Sequence, residues 1–212
     1  VATGLINGDY ITAVSAEFVN NNTRVSTVGS ATPAGDYLGS IQVVPGTATG
    51  RGLSNYTPRY VDGNLIIGKA NLTITAVNDA KLVTTADTAN FAGVMASGFK
   101  NGQTLADLTG SLTVTRVNAT QNNAGTYTGV LNPAGLSGAN YNINYVAGDY
   151  TILPANTLLV KLGNVSATYG SSAAYAPVAS YINANNQEII STASGSSLTI
   201  APSGSQFIVN DG

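Results

Sequence analysis

The sequence predicts a mainly β chain, built as an elongated tandem of small modules, and three observations carry the prediction. First, residues 125–153, GTYTGVLNPAGLSGANYNINYVAGDYTIL, have a diverged copy at residues 35–67, GDYLGSIQVVPGTATGRGLSNYTPRYVDGNLII. Asn55-Tyr56 matches Asn140-Tyr141, Tyr60 matches Tyr145 and Gly63 matches Gly148, all 85 residues apart; a fixed internal period is the signature of repeated units. Second, Thr, Val, Ile and Tyr abound beside 24 Gly, a composition of strands and turns. Third, no long stretch spaces its apolar residues as a helix would.

The repeat divides the 212 residues into the C-terminal part of a first module (1–68), a complete module (69–154) and the start of a third, truncated or atypical one (155–212). Lys69-Ala70-Asn71 and Pro154-Ala155-Asn156 occupy equivalent places, each leading into a new alternating strand. Linkers this short, with no Gly/Ser or Pro run, predict restricted orientations between neighbours. Because the first residue falls inside a module, the chain is expected to be part of something longer. An immunoglobulin-like sandwich and a β-grasp-like sheet both satisfy strands of this length, and the pattern leaves the two open.

In order along the chain, residues 10–19 alternate unevenly and predict one strand with Ile11, Ala13 and Ser15 on one face. Asn20-Asn21-Asn22 is a polar turn, followed by a weaker strand over 23–29. Pro33, Gly35 and Asp36 punctuate a turn before a strand over 37–44, with Tyr37, Gly39, Ile41 and Val43 on one side. Residues 53–61 predict the outgoing arm of a hairpin that turns at Asp62-Gly63 and returns over 64–67, with Pro58 marking an edge. The second copy predicts the same hairpin: Tyr141, Ile143 and Tyr145 out, Gly148-Asp149 turning, Tyr150 and Ile152 back.

Within the complete module, Leu72, Ile74 and Ala76 predict an inward face opposite Thr73 and Thr75. Residues 78–90 look like a long polar connection and 91–99 like a strand. Thr104, the helix formers after it and Gly110 predict at most a short helical turn near 104–108. Leu112 and Val114 then face inward with Thr113 and Thr115 outward. In the last part, Leu158, Val160 and Leu162 predict the inward face of a strand, residues 184–197 a polar region, and 198–200 and 207–209 further apolar segments.

Charge and composition exclude several functions. Charged residues are 8% of the chain and the formal net charge is -2, too little basic surface to track a phosphate backbone. There is no polybasic or amphipathic segment for a membrane surface, and no apolar run approaches the roughly 20 residues that span a bilayer. With no Cys and no His, a thiolate zinc site, a Cys nucleophile and the commonest general base are all missing. A cysteine-free chain suits a bacterial secreted protein.

Gly-Thr-Tyr-Thr-Gly at 125–129, Leu-Ser-Gly-Ala-Asn-Tyr at 136–141, Gly-Asp-Tyr-Thr-Ile at 148–152 and the closing Pro154-Ala155 resemble the MBG/YDG-type repeats of very large bacterial surface adhesins. So do the segment from Gly98 to Gly110 and Ala167-Thr168-Tyr169-Gly170. In the complete module the Tyr-Gly motif is replaced near Lys81-Leu82-Val83, a departure from the pattern. The resemblance implies filamentous-haemagglutinin-like exoproteins exported by two-partner secretion, among them biofilm-matrix adhesins that bind exopolysaccharide. It therefore implies a secreted, cell-surface location, a stalk or spacer role in adhesion or biofilm, and no catalytic residue; the residues themselves point to no cofactor and no metal motif, with a loose calcium site of loop aspartates and carbonyls left open.

Tyr141, Tyr145, Tyr56 and Tyr60 are the candidate glycan contacts, since an aromatic face with a polar tip suits a sugar ring. Packing in the fold explains the same recurrence, and exposure separates the readings: an exposed row favours a carbohydrate-binding module for exopolysaccharide or host glycan, and burial favours a spacer whose partners are neighbouring modules. Asn-x-Ser/Thr triplets begin at Asn21, Asn55, Asn71, Asn118 and Asn164, about as often as chance supplies them in so Asn-rich a chain. A glycosidase needs two facing acids, yet Glu17 and Glu188 are the only glutamates, and Asp36, Asp62, Asp149 and Asp211 sit in turn contexts. An intramolecular Lys-to-Asn amide needs a buried lysine beside an acid, with Lys69 and Lys161 as candidates.

Overall fold

The computed structural model describes residues 4–162, 167–172 and 177–192. The chain is mainly β, and among the described residues only two three-residue 3-10 turns, Leu53–Asn55 and Leu105–Asp107, are helical. It divides into two compact units: Val1–Asn71 with Phe99–Gln103 and Gly138–Asn142, and Leu72–Gly98 with Thr104–Ser137 and Ile143–Gly212.

In the first unit, β1 (Tyr10–Ala13) pairs with β5 (Thr49–Arg51), while β2 (Ala16–Asn20), β3 (Thr23–Val25), β4 (Gly35–Val43) and β6 (Gly63–Ile67) form a sheet in the order β3-β2-β4-β6. The single strand expected over 10–19 is thus two strands in two sheets. Ser15 makes the break: its N–H donates to Thr47 Oγ1 and its carbonyl accepts from Val44 N. Ile11 is exposed and Phe18 is the buried residue. Asn21 and Asn22 turn with φ of 48° and 64°, joining Asn20 to its partner Thr23, the positive-φ pair a two-residue hairpin demands.

β7 (Ala70–Ala76), β9 (Val94–Ser97) and β12 (Tyr141–Val146) form a sheet in the order β12-β7-β9, of which β7 from Leu72, all of β9 and β12 from Ile143 onward belong to the second unit. Another sheet has the order β10-β11-β13-β8, from β8 (Asp79–Leu82), β10 (Thr109–Arg116), β11 (Gly125–Ser137) and β13 (Gly148–Leu153). A three-stranded sheet, β14 (Leu159–Leu162), β15 (Pro177–Ile182) and β16 (Glu188–Thr192), completes the second unit. Ala76 of β7 clusters with Val114, Leu131, Tyr150 and Ile152 of the four-stranded sheet. The layer facing that sheet is therefore another sheet rather than a helix, which favours the sandwich-like reading over the β-grasp-like one.

Leu72, Ile74 and Ala76 are buried as their alternation predicts. The short helical turn is where expected: Thr104 Oγ1 accepts from Ala106 N and Asp107 Oδ2 accepts from Thr104 N, a reciprocal cap.

Both expected hairpins are corrected. β12 and β13 lie in different sheets, so Ala147-Gly148 is a crossing between layers and not a hairpin turn. Gly148 passes so close to β7 that a Cβ there would lie 2.6 Å from the Ala76 carbonyl oxygen. Asp149, instead of turning, receives Gly129 N–H on Oδ1 at 2.8 Å and donates its own N–H to Asn78 Oδ1. In the first copy, residues 56–62 form no strand and β6 pairs with β4.

What the copies share is that pairing. Gly35↔Ile67, Tyr37↔Leu65 and Ile41↔Gly63 in one copy correspond to Gly125↔Ile152, Tyr127↔Tyr150 and Leu131↔Gly148 in the other, each with a bulge at the same place. The bulge glycines, Gly39 (φ 62°) and Gly129 (φ 64°), both take the left-handed region. Their N–H groups are held by Asn64 Oδ1 and Asp149 Oδ1 respectively. In the first copy the bulge also breaks the predicted single face of 37–44, leaving Ser40 buried and Leu38 exposed.

Three further corrections follow. The expected connection over 78–90 contains β8, which runs parallel to β13. In β14 the inward residue is Leu159, while Leu158, Val160 and Leu162 are exposed; a one-residue slip exchanges the faces of a strand. The polar region of 184–197 contains β16, paired with β15 across a turn closed by Asn183 and Gln187. Segments 198–200 and 207–209 lie outside the described residues.

Candidate functional site

Among the described residues, the densest constellation of functional groups is a buried ionic cluster in the second unit. β10 carries Leu112, Val114 and Arg116 on one face, so its alternation turns the Arg116 side chain inward, where it is 1% exposed. Its Nε donates to Asp87 Oδ2 at 2.9 Å. Its two other nitrogens donate to the carbonyl oxygens of Asn118, Ala119 and Gln121 at 3.2, 3.1 and 2.7 Å. A guanidinium presents its donors in a fixed fork, and here the fork shapes the loop after β10 around itself. The same loop carries Asn118 Oδ1, which is buried and meets no donor among the described residues.

Lys81 reaches the cluster from β8 with its side chain 8% exposed. Its Nζ lies 2.8 Å from Asp87 Oδ1 and donates to Asn122 Oδ1 at 2.9 Å. Asn122 Oδ1 is also 3.4 Å from Arg116 Nη2. Tyr150 from β13 donates its hydroxyl to Asp87 Oδ1 at 3.2 Å and lies under the Arg116 guanidinium, 5.0 Å from ring centroid to carbon. Phe91 meets the Tyr150 ring edge-on at 5.2 Å.

Burial alone would raise the Asp87 carboxyl, but the hydrogen bonds and charges of Lys81 and Arg116 together outweigh it and leave it below its ordinary value. Burial, and after it the Asp87 carboxylate, push the Tyr150 hydroxyl well above the ordinary tyrosine range. Asp87 is thus held as an anion and Tyr150 as a neutral donor. The cluster holds two cations, Lys81 and Arg116, against one carboxylate, Asp87.

The four tyrosines singled out by the sequence are placed as follows. Tyr141 is buried; its hydroxyl accepts from Lys100 N at 3.0 Å and donates to Gln103 Oε1 at 2.6 Å, and its ring meets Phe99 edge-on. Asn140 beside it accepts Ala34 N–H on its side chain and Ala70 N–H on its carbonyl. Tyr145 is half-buried, and its hydroxyl both accepts from Leu136 N and donates to Leu136 O, each at 2.8 Å. Tyr56 donates to Asp9 Oδ2 and accepts from Ile6 N, both at 2.9 Å. Tyr60 is 39% exposed beside an exposed Val61.

Neither lysine considered for an amide crosslink is buried: Lys69 is exposed, and Lys161, paired with Asp79 at 2.7 Å, is 37% exposed. The buried lysine is Lys81, in the segment where the Tyr-Gly motif is replaced. Among the described residues no group of three or more His, Cys, Asp or Glu could hold a metal, and no helix is long and apolar enough to cross a membrane.

Residues 72–151 match the family model of the MBG domain, YGX type. No curated protein and no solved structure matches the chain.

Proposed function

From the MBG domain at residues 72–151, a type typical of adhesin-like surface proteins and not an enzymatic one, we propose that this chain is a structural spacer segment of an extracellular bacterial adhesin. Its partners are neighbouring modules of the same protein, and its role in adhesion, aggregation or biofilm is to hold a binding region away from the cell. One observation carries the choice of spacer over lectin. Tyr141, Tyr145 and Tyr56 spend their hydroxyls on groups of the protein itself, so the polar tips that would grip a sugar are engaged. Where the chemistry is dense, around Asp87, the side chains are turned inward and bound to one another, as suits a load-holding core.

The second reading, a carbohydrate-binding module for exopolysaccharide or host glycan, is favoured by Tyr60, whose ring is accessible in the strand-free segment 56–62. Titration calorimetry of the whole chain against a panel of bacterial exopolysaccharides and host glycans decides between them. The spacer reading expects no saturable heat up to ~1 mM ligand. Saturable binding that disappears in Tyr60→Ala, with unfolding unchanged, would overturn it in favour of the lectin.

A further inference from the structure

We propose that Lys81 and Asn122 join in an intramolecular amide bond, with Asp87 as the group that carries the proton and Arg116 as the group that holds the oxyanion. The proposal goes beyond the spacer reading, and its readout, a mass, does not depend on that reading.

Four features of the cluster fit the reaction. The nucleophile is in place: Lys81 Nζ lies 2.9 Å from Asn122 Oδ1, and the amide carbon is one C=O bond, about 1.2 Å, from that oxygen. A short rotation of the carboxamide presents the carbon at the separation of a near-attack pair. The base is in place, since Asp87 Oδ1 lies 2.8 Å from the same Nζ. An oxyanion donor is in place, since Arg116 Nη2 lies 3.4 Å from Asn122 Oδ1, where negative charge develops. Finally, the two cations are withdrawn from water: the Lys81 and Arg116 side chains are 8% and 1% exposed, with Asp87 at 24% the open side of the cluster, and burial of the cations strengthens their interactions.

The step balances without an oxidant or a cofactor. Lys81 ammonium passes a proton to the Asp87 carboxylate. The free amine attacks Cγ of Asn122, a C–N bond forms, and the carbonyl electron pair moves to Oδ1 under Arg116. Asp87 then shuttles a proton from the attacking nitrogen to the amide nitrogen, the original C–N bond breaks and ammonia departs, taking the last proton from Asp87 as ammonium. The products are a Lys81–Asn122 amide, an Asp87 carboxylate and ammonium.

Charge supplies an independent reason. Before the reaction two buried cations share the Asp87 carboxylate, since the buried Asp79 carboxylate nearby is paired with Lys161, and a buried charge without its own partner is unfavourable. Afterwards Arg116 and Asp87 balance and the former lysine is neutral. The bond ties β8 to the loop between β10 and β11, residues 41 apart in sequence.

The test is the mass of the full chain. Intact-mass spectrometry is expected to show the sequence mass less one ammonia, about 17 Da. Trypsin, which does not cut after an acylated Lys81, is expected to leave residues 70–100 joined to residues 117–161 as one branched species. Lys81→Arg keeps the cation and removes the primary amine, so it should restore the full mass; Asp87→Asn should leave most of the chain uncrosslinked. An unreduced parent mass with separate peptides 70–81 and 82–100 overturns the proposal, whatever the variants do. A loss of ammonia in which those peptides remain linear, the signature of a cyclic imide elsewhere, overturns it equally. Full crosslinking in Asp87→Asn refutes the role given to Asp87.

Discussion

Replacing Arg116 by Met tests whether the buried cluster stabilises the second unit or merely occupies it. Methionine keeps most of the volume and removes every charged contact. Lost with the guanidinium are the bond to Asp87, the three to loop carbonyls and the stacking on Tyr150. Charge-assisted hydrogen bonds contribute about 1.5–3 kcal/mol each in isolation, but the cost of burying the guanidinium offsets much of that sum. Two circumstances place the net at about 3 kcal/mol, the low end for breaking a buried pair. Asp87 keeps Lys81 as a partner, and with 24% of its side chain exposed it keeps some water.

A domain of this size has little stability to spare. With a urea slope of about 1–1.5 kcal/mol/M, the midpoint of the affected transition should fall by about 2–3 M. The assay is urea unfolding of the full chain followed by circular dichroism, with each variant's intact mass recorded so that loss of pairing is not confused with loss of a crosslink. Arg116→Lys should recover only a minor share, because an ammonium cannot present a fork to Asp87 and three carbonyls together. An Arg116→Met midpoint within about 0.3 M of the parent would refute the reasoning, and a fully stable Arg116→Lys would refute the geometric part of it.

Two further predictions follow from the same structure. Gly148→Ala forces a methyl against the Ala76 backbone and should cost about 1–3 kcal/mol, whereas Gly129→Ala, at φ 64° with open space around it, should cost about 1 kcal/mol; equal midpoints in urea would contradict the close approach. Because the Asp87 pKa lies below its reference of 3.8, its contribution is present above that reference and is lost as pH falls through the lower folded value. Stability measured from about pH 5 down to pH 2 should therefore decline less steeply in Asp87→Asn than in the parent, and identical slopes would remove Asp87 from the account.

Some of this architecture was legible in the sequence and some was not, for identifiable reasons. β7 was legible because Leu72, Ile74 and Ala76 alternate with threonines, so the two faces differ in chemistry. β14 was not: Leu158, Leu159, Val160 and Leu162 put apolar side chains on both faces, and nothing local says which is inward. The Asp-Gly and Gly-Asp pairs read as hairpin turns because those residues tolerate tight turns, but close approach of backbone to backbone also selects Gly, and that is the use made of Gly148. β8 is not legible because two of its four residues, Asp79 and Lys81, are charged, and only partners distant in sequence make their burial tolerable. One signal for the cluster was present locally. The period that sends Leu112 and Val114 inward sends Arg116 inward as well, and a buried arginine requires an acid nearby. That the acid is Asp87, and that Asn122 and Lys81 meet it, depends on long-range pairing that no local pattern encodes.

The parallel pairing of β8 with β13 sets an order of assembly. Asp79 pairs with Tyr150 and Leu82 with Leu153, contacts that close loops of about 70 residues, and such loops close late because their entropy must be met before the contact is gained. As the chain emerges from a ribosome N-terminus first, β10 and β11 can pair as neighbours, and the Arg116 loop, whose carbonyl partners lie two to five residues away, can form with them. β8 has no partner strand until β13 has arrived. Strand β8 thus stays unpaired until β13 is delivered, and the surroundings of Lys81 close late.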